Sequence, residues 1–191
     1  MQAPLVALRA PVPPIARMDA LTFRGIEAVG FDTVDDPALL EPRDAIVRVE
    51  FAGLCGSDLH PYFGREVGIE VGTVLGHELV GEVVALGEGA RARLSALPGG
   101  APFDVGDRVV APFTTNCGEC AHCRRGLTAR CERGELFGWR EGGAGLDGAQ
   151  AQFVRVPLAD ATLVPVPDAL EDPGRAILAG DILSTALFGV E

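Results

Sequence analysis

The chain has 191 residues, of which 48% are hydrophobic and 23% charged, and its formal net charge is -11. That length suffices for one full-sized domain with its own core and the beginning of a second, and no apolar run reaches the roughly 18 residues of a membrane-spanning helix. The acidic balance, set against 16 arginines and no lysine, excludes a nucleic-acid backbone as the expected partner.

Residues 1–17 hold four prolines and no hydrophobic period, and are expected to form a disordered tail. They lack the sustained apolar core of a secretory signal. Met18 opens the ordered pattern. Alternating residues then predict half-buried strands at Leu21–Arg24, Ala28–Phe31 and Ala45–Phe51. In the last of these, Ile46 and Arg48 fall on one face and Val47, Val49 and Phe51 on the other. A turn from Val71 leads into a strand over Leu79–Leu86. Ala90–Pro102 reads as a surface loop, and Val105–Val110 as a turn feeding a short strand. After a cysteine-rich stretch and a glycine-rich one (Glu141–Gly148), Gln150–Val156 and Thr162–Val166 read as closing strands. Helical spacing begins only beyond Pro173, through Ala176, Ile177 and Leu178. The 25 glycines and 14 prolines suit a strand-rich domain better than a helical bundle. The expectation is a mainly β domain over 18–170, a metal lobe within it at 117–131, and a short helical C-terminus over 171–191.

Four of the five cysteines stand at 117, 120, 123 and 131. Four soft donors within fifteen residues suit a closed, tetrahedral structural zinc. Two disulfides or an iron–sulfur cluster are the alternatives. The absence of a secretory signal points to a reduced, cytoplasmic setting, where metal-bound thiolates are more usual than disulfides. No proline follows Cys131, as it does in the bacterial cluster motif. Arg124, Arg125 and Arg130 read as a solvated face offsetting the charge of a zinc–tetrathiolate centre.

The fifth cysteine lies in Gly53-Leu54-Cys55-Gly56-Ser57-Asp58-Leu59-His60, just past the Ala45–Phe51 strand. Gly76-His77-Glu78 and Gly180-Asp181 supply further donors. Singly, Cys55 reads as a buried inert thiol and His77 as a core histidine. Together, Cys55, His77 and Asp181 offer three ligands for a second zinc that keeps one position open. One thiolate and one carboxylate neutralise the ion, leaving it acidic toward a bound oxygen. Glu78 is a neighbouring carboxylate or an occasional ligand, or else the partner of a buried arginine. Ser57 and His60 are candidates for passing a proton outward; the alternative makes Ser57 a turn former and Asp58 a helix-initiating residue.

The pattern Gly76-His77-Glu78-x2-Gly81-x5-Gly87-x2-Ala90, the four-cysteine spacing and Gly148-Ala149-Gln150-Ala151-Gln152-Phe153-Val154-Arg155-Val156-Pro157 together resemble the zinc-dependent medium-chain alcohol dehydrogenases. The likeness includes their formaldehyde dehydrogenase-like and threonine or sorbitol dehydrogenase-like branches, and runs from about Met18 onward. It implies a GroES-like β-barrel catalytic domain that interconverts an alcohol and an aldehyde with NAD or NADP. By that resemblance Cys55, His77 and Asp181 hold a catalytic zinc, Ser57 and His60 occupy proton-relay positions, and Thr185 lies near the nicotinamide. A homo-oligomer is implied for the full-length enzyme. Ala186 departs from the family by replacing a common glycine, and the 90–102 loop is longer than usual. Gly-x-Gly-x-x-Gly after a strand is missing, and Gly142-Gly143-Ala144-Gly145 lacks a βαβ setting. The chain is therefore expected to be the catalytic-domain piece of a longer enzyme, binding two zinc ions but turning over no alcohol by itself. The rival expectation is a zinc-stabilised GroES-like binding or regulatory module without catalysis.

Overall fold

The computed structural model describes residues 17–96, 103–170 and 172–190. The strands are β1 (Arg17–Gly25), β2 (Ala28–Asp35), β3 (Ala45–Ala52), β4 (Leu79–Leu86), β5 (Arg108–Ala111), β6 (Trp139–Glu141), β7 (Ala144–Leu146), β8 (Phe153–Val156) and β9 (Val164–Pro165). The helices are α1 (Leu59–Tyr62), α2 (Glu88–Ser95), α3 (Ala159–Thr162), α4 (Ile177–Gly180) and α5 (Ile182–Val190). The fold is mainly β, as expected. A five-stranded antiparallel sheet in the order β8-β3-β4-β5-β9 forms its centre. The β1–β2 hairpin is tied to it by bridges from Ala20 to Ala151 and from Thr22 to Val74.

Alternation along the strands builds two apolar layers. Val47, Val83, Val109 and Val154 turn into the main core with Phe103, Phe137 and Leu146. Val80 and Val110 turn the other way and are covered by Ala176, with Ile177 packed against them. The ladder slips one residue between Val49 and Phe51. This bulge turns Phe51 to the Val80 side, where it pairs with Val80 and lies beside Gly174. The expected grouping of Phe51 with Val47 and Val49 is thereby corrected.

Three further expectations are corrected. Residues 88–95 form α2 rather than loop, because Ala90 and Leu94, four apart, bury one helical face; residues 97–102 lie outside the described residues. The Thr162–Val166 strand shrinks to β9, since Thr162 ends α3 with its hydroxyl bonded to the Asn116 and Pro157 carbonyls. The Gln150–Val156 strand begins only at Phe153, because Gln150 and Gln152 are instead tied to β1 through the Leu21 amide and the Asp19 carbonyl. Arg17 already belongs to β1; the rest of the expected tail, residues 1–16, lies outside the described residues. Most of the glycine-rich 141–148 stretch belongs to the β6–β7 hairpin, which spans residues 139–146. No helix among the described residues is long and apolar enough to cross a membrane.

Candidate functional site

Strand β3 ends at Ala52, and Gly53 fixes its exit by donating to the Glu78 carbonyl (3.1 Å). Cys55 then caps a single 3-10 turn, Gly56–Asp58. Its amide donates to Asp58 Oδ2 (2.8 Å), and its sulfur accepts from the Ser57 amide (3.3 Å). This reciprocal pairing is a capping box, with a thiol in the place usually taken by a hydroxyl.

His77 arrives from the other direction. Gly76, at φ +92°, makes a turn that side-chain-bearing residues avoid. The Gly76 carbonyl accepts from the Ala149 amide (2.9 Å) and the Leu75 carbonyl from the Gln150 amide (2.8 Å). His77 is buried, with Nδ1 3.3 Å from Asp58 Oδ1, and with Nε2 3.5 Å from Asp181 Oδ2 and 3.4 Å from Ser57 Oγ. Asp58 therefore anchors one ring nitrogen and leaves the other facing the donor cluster. The Asp58 hydrogen bond, opposed by burial, pushes the His77 pKa up to about 9 in the metal-free protein.

Asp181 is set by packing rather than by sequence neighbours. Gly180 presses against β5, where a Cβ would fall 2.5 Å from the Ala111 carbonyl oxygen. That approach carries Asp181, at the junction of α4 and α5, to the site. Thr185 donates to Asp181 Oδ1 (3.3 Å). Glu78 is buried; burial raises its carboxyl pKa, while His77 opposes that shift. No arginine pairs with it among the described residues.

One donor atom from each of Cys55, His77, Glu78 and Asp181 lies within 4.8 Å of the others. Around tetrahedral zinc, with bonds of about 2.0–2.3 Å, neighbouring donors are about 3.3–3.8 Å apart. A thiolate, an imidazole and carboxylates at this spacing suit that ion. Cys55, His77 and Asp181 line a cavity of about 450 Å³, together with Ser57, Thr185 and the apolar side chains of Phe113, Leu136 and Trp139. Ser57 Oγ is 2.9 Å from Cys55 Sγ. His60 does not line this cavity. Its ring is partly exposed, with Nδ1 3.7 Å from the carboxylate of Glu66, which does line it. Sequence reasoning treated Asp58 as a helix-initiating residue only; its place three residues after Cys55 was the available signal.

The second cluster is the lobe. Sulfurs of Cys117, Cys120, Cys123 and Cys131 also converge within 4.8 Å, with Cys117 and Cys123 3.9 Å apart. Amides of Cys117, Cys120 and Arg133 donate to sulfurs at 3.2–3.3 Å. Burial pushes the Cys117 thiol up, but amides of Glu119 and Cys120 and the Arg133 side chain bring it down to about 6. Such a cradle favours thiolate, the metal-binding form. Arg124, Arg125 and Arg130 are exposed, as expected; the cation that reaches a sulfur is Arg133. Arg43 fastens the lobe to the core, donating to the Cys117 carbonyl (3.1 Å) and to both oxygens of buried Asp160 (2.7 and 2.8 Å), which Arg93 also reaches (2.7 Å).

Two clusters of metal-ligand type on one mainly β scaffold agree with what comparison finds. Residues 41–168 match the model of the alcohol dehydrogenase GroES-like domain. The chain belongs to that family. It is 42% identical over 172 residues to the medium chain reductase/dehydrogenase ucsI of an Acremonium species, covering 90% of this chain and 54% of the relative. It is 38% identical over 172 residues to the zinc-type alcohol dehydrogenase B of Aspergillus flavus, covering 90% of this chain and 36% of the relative. Among solved structures, the alcohol dehydrogenase TADH from a Thermus species superposes with a TM-score of 0.79 at 45% identity, covering 91% of this chain and 46% of that one. The chain thus spans about half, or less, of the length of the relatives it matches.

Proposed function

We propose that this chain is the zinc-binding catalytic domain, over residues 18–170, of an NAD(P)-linked alcohol dehydrogenase acting on a small alcohol or its aldehyde. Residues 171–190 lead out of that domain and contribute Asp181 and Thr185. The observation that carries the reading is the convergence of Cys55, His77, Glu78 and Asp181, three of which (Cys55, His77 and Asp181) line a cavity shared with apolar side chains. Cys55, His77 and Asp181 would hold the catalytic zinc, with Glu78 as a neighbouring carboxylate, and Cys117, Cys120, Cys123 and Cys131 a structural one. Zinc bound at the open site supplies a Lewis acid that lowers the pKa of an alcohol hydroxyl, and NAD or NADP supplies the hydride acceptor.

The chain's own residues do the rest. Phe113, Leu136 and Trp139 seat the alcohol's carbon skeleton and keep water from it. Ser57, within hydrogen-bonding reach of Cys55 and His77, is placed to take the hydroxyl proton. His60, partly exposed beside Glu66 at the cavity's border, is the candidate to pass it on to solvent. Thr185 also lines the cavity and is the residue that would lie near a bound nicotinamide.

Cobalt substitution tests this reading without requiring turnover. A small alcohol added to the cobalt-loaded chain should shift the visible spectrum of the open site. The same addition to Cys55→Ala should leave the lobe's spectrum unchanged. A wild-type spectrum indifferent to alcohol at high concentration would sink the proposal.

A further inference from the structure

We infer that Gln150 is a positioning residue that sets the spacing of the Cys55 and His77 arms. The inference rests on reading those arms as a metal site. Gln150 touches both arms at equivalent places. Its side-chain Nε2 donates to the Gly53 carbonyl (3.2 Å), two residues before Cys55. Its backbone amide donates to the Leu75 carbonyl (2.8 Å), two residues before His77. Its Cγ packs so closely on Gly76 that a Cβ there would fall 2.5 Å away. The Leu21 amide holds the Gln150 carbonyl (2.8 Å), so the strap is anchored to β1 as well.

The carboxamide orientation is fixed by chemistry. Exchanging its oxygen and nitrogen would set two carbonyl oxygens against each other at Gly53. In the orientation observed, Oε1 is buried and accepts no hydrogen bond from the protein. An orphaned buried acceptor is destabilising, and the neighbouring lining is mostly apolar, with Leu21, Leu54, Leu59 and Leu75 beside Asp58 and Tyr62. A leucine would satisfy such surroundings without the orphan. What a leucine lacks is the donor to Gly53. The amide is therefore placed for the Cys55 arm and not for the core.

Gln150→Met, which keeps the length and removes the donor, and Gln150→Glu, which keeps the shape and puts an acceptor against the Gly53 carbonyl, test this. Zinc competition with a chromophoric chelator should show the Cys55 site loosened about tenfold in both variants, the usual scale for residues that orient metal ligands. The lobe zinc should be held as in wild type. With cobalt, the thiolate-to-metal band of the Cys55 site should shift while the lobe bands stay fixed. Equal open-site affinity and an unmoved Cys55 band in both variants would overturn the inference, as would loss of the lobe metal along with it. A wild-type chain that binds only one metal would instead overturn the metal-site reading itself.

Discussion

The Asp58 carboxylate joins the two arms of the open site: Oδ1 lies 3.3 Å from His77 Nδ1, while Oδ2 accepts from the Cys55 amide at 2.8 Å. A carboxylate behind a ligating histidine fixes its tautomer and raises its basicity. Asp58→Ala should therefore weaken zinc at the open site by roughly 10–100-fold and leave the four-cysteine site untouched. Chelator competition reads both sites in one titration. Equal loosening of both sites would mean that Asp58 acts on the fold in general.

The same contact makes stability depend on pH when only the lobe is loaded with zinc. Folded His77 keeps its proton up to about pH 9, against an ordinary value of 6.5. The raised pKa stabilises the fold fully below about pH 6.5, and that contribution is lost as pH rises through 9. Zinc takes the neutral imidazole, so filling the open site releases a proton and abolishes the dependence. Melting temperatures of the lobe-loaded chain should fall between pH 6.5 and 9, with a flatter profile once the second zinc is bound. A melting temperature rising over that window would contradict the pairing.

Asp160 should matter more than its place in a four-residue helix suggests. Its side chain is 4% exposed and is shared by Arg43 and Arg93. Asp160→Ala leaves Arg43, itself 16% exposed, largely without its partner, at a cost of about 3 kcal/mol. Arg124→Ala, on the exposed face of the lobe, should cost under about 0.5 kcal/mol. Urea unfolding of the two variants measures the contrast, and similar midpoints would refute it.

Gly148 leaves no room for a side chain. A Cβ there would fall 2.3 Å from both the Gly76 and the Leu75 carbonyl oxygens, which belong to the backbone that delivers His77. Gly148→Ala should cost roughly 1–3 kcal/mol, the usual scale of overpacking, and lower open-site zinc occupancy. Full stability with full occupancy would show that the His77 arm yields freely.

The parts legible in the sequence are those governed by local pattern. Four thiols within fifteen residues announce the lobe, and alternation announces β3 and β4. The bulge beyond Val49 leaves no such mark, because one extra residue changes the face of Phe51 without changing composition. Helix α2 was hidden because it buries only Ala90 and Leu94, too few positions to reveal a period. Asp181 was linked to Cys55 by donor type and by the family resemblance, not by any local pattern; its place depends on Gly180 lying against Ala111, a contact between distant segments. The orientation of Asp58 toward His77 is tertiary in the same way, whereas its cap to Cys55 is local.

The central claim is that one chain carries two metal sites of different kinds. Elemental analysis of zinc per chain, on wild type and on Cys55→Ala, tests it most directly. The account predicts two zinc ions in wild type and one in the variant, with the remaining ion held by Cys117, Cys120, Cys123 and Cys131. One zinc ion in both proteins would show that only the lobe is metallated, and would contradict the account.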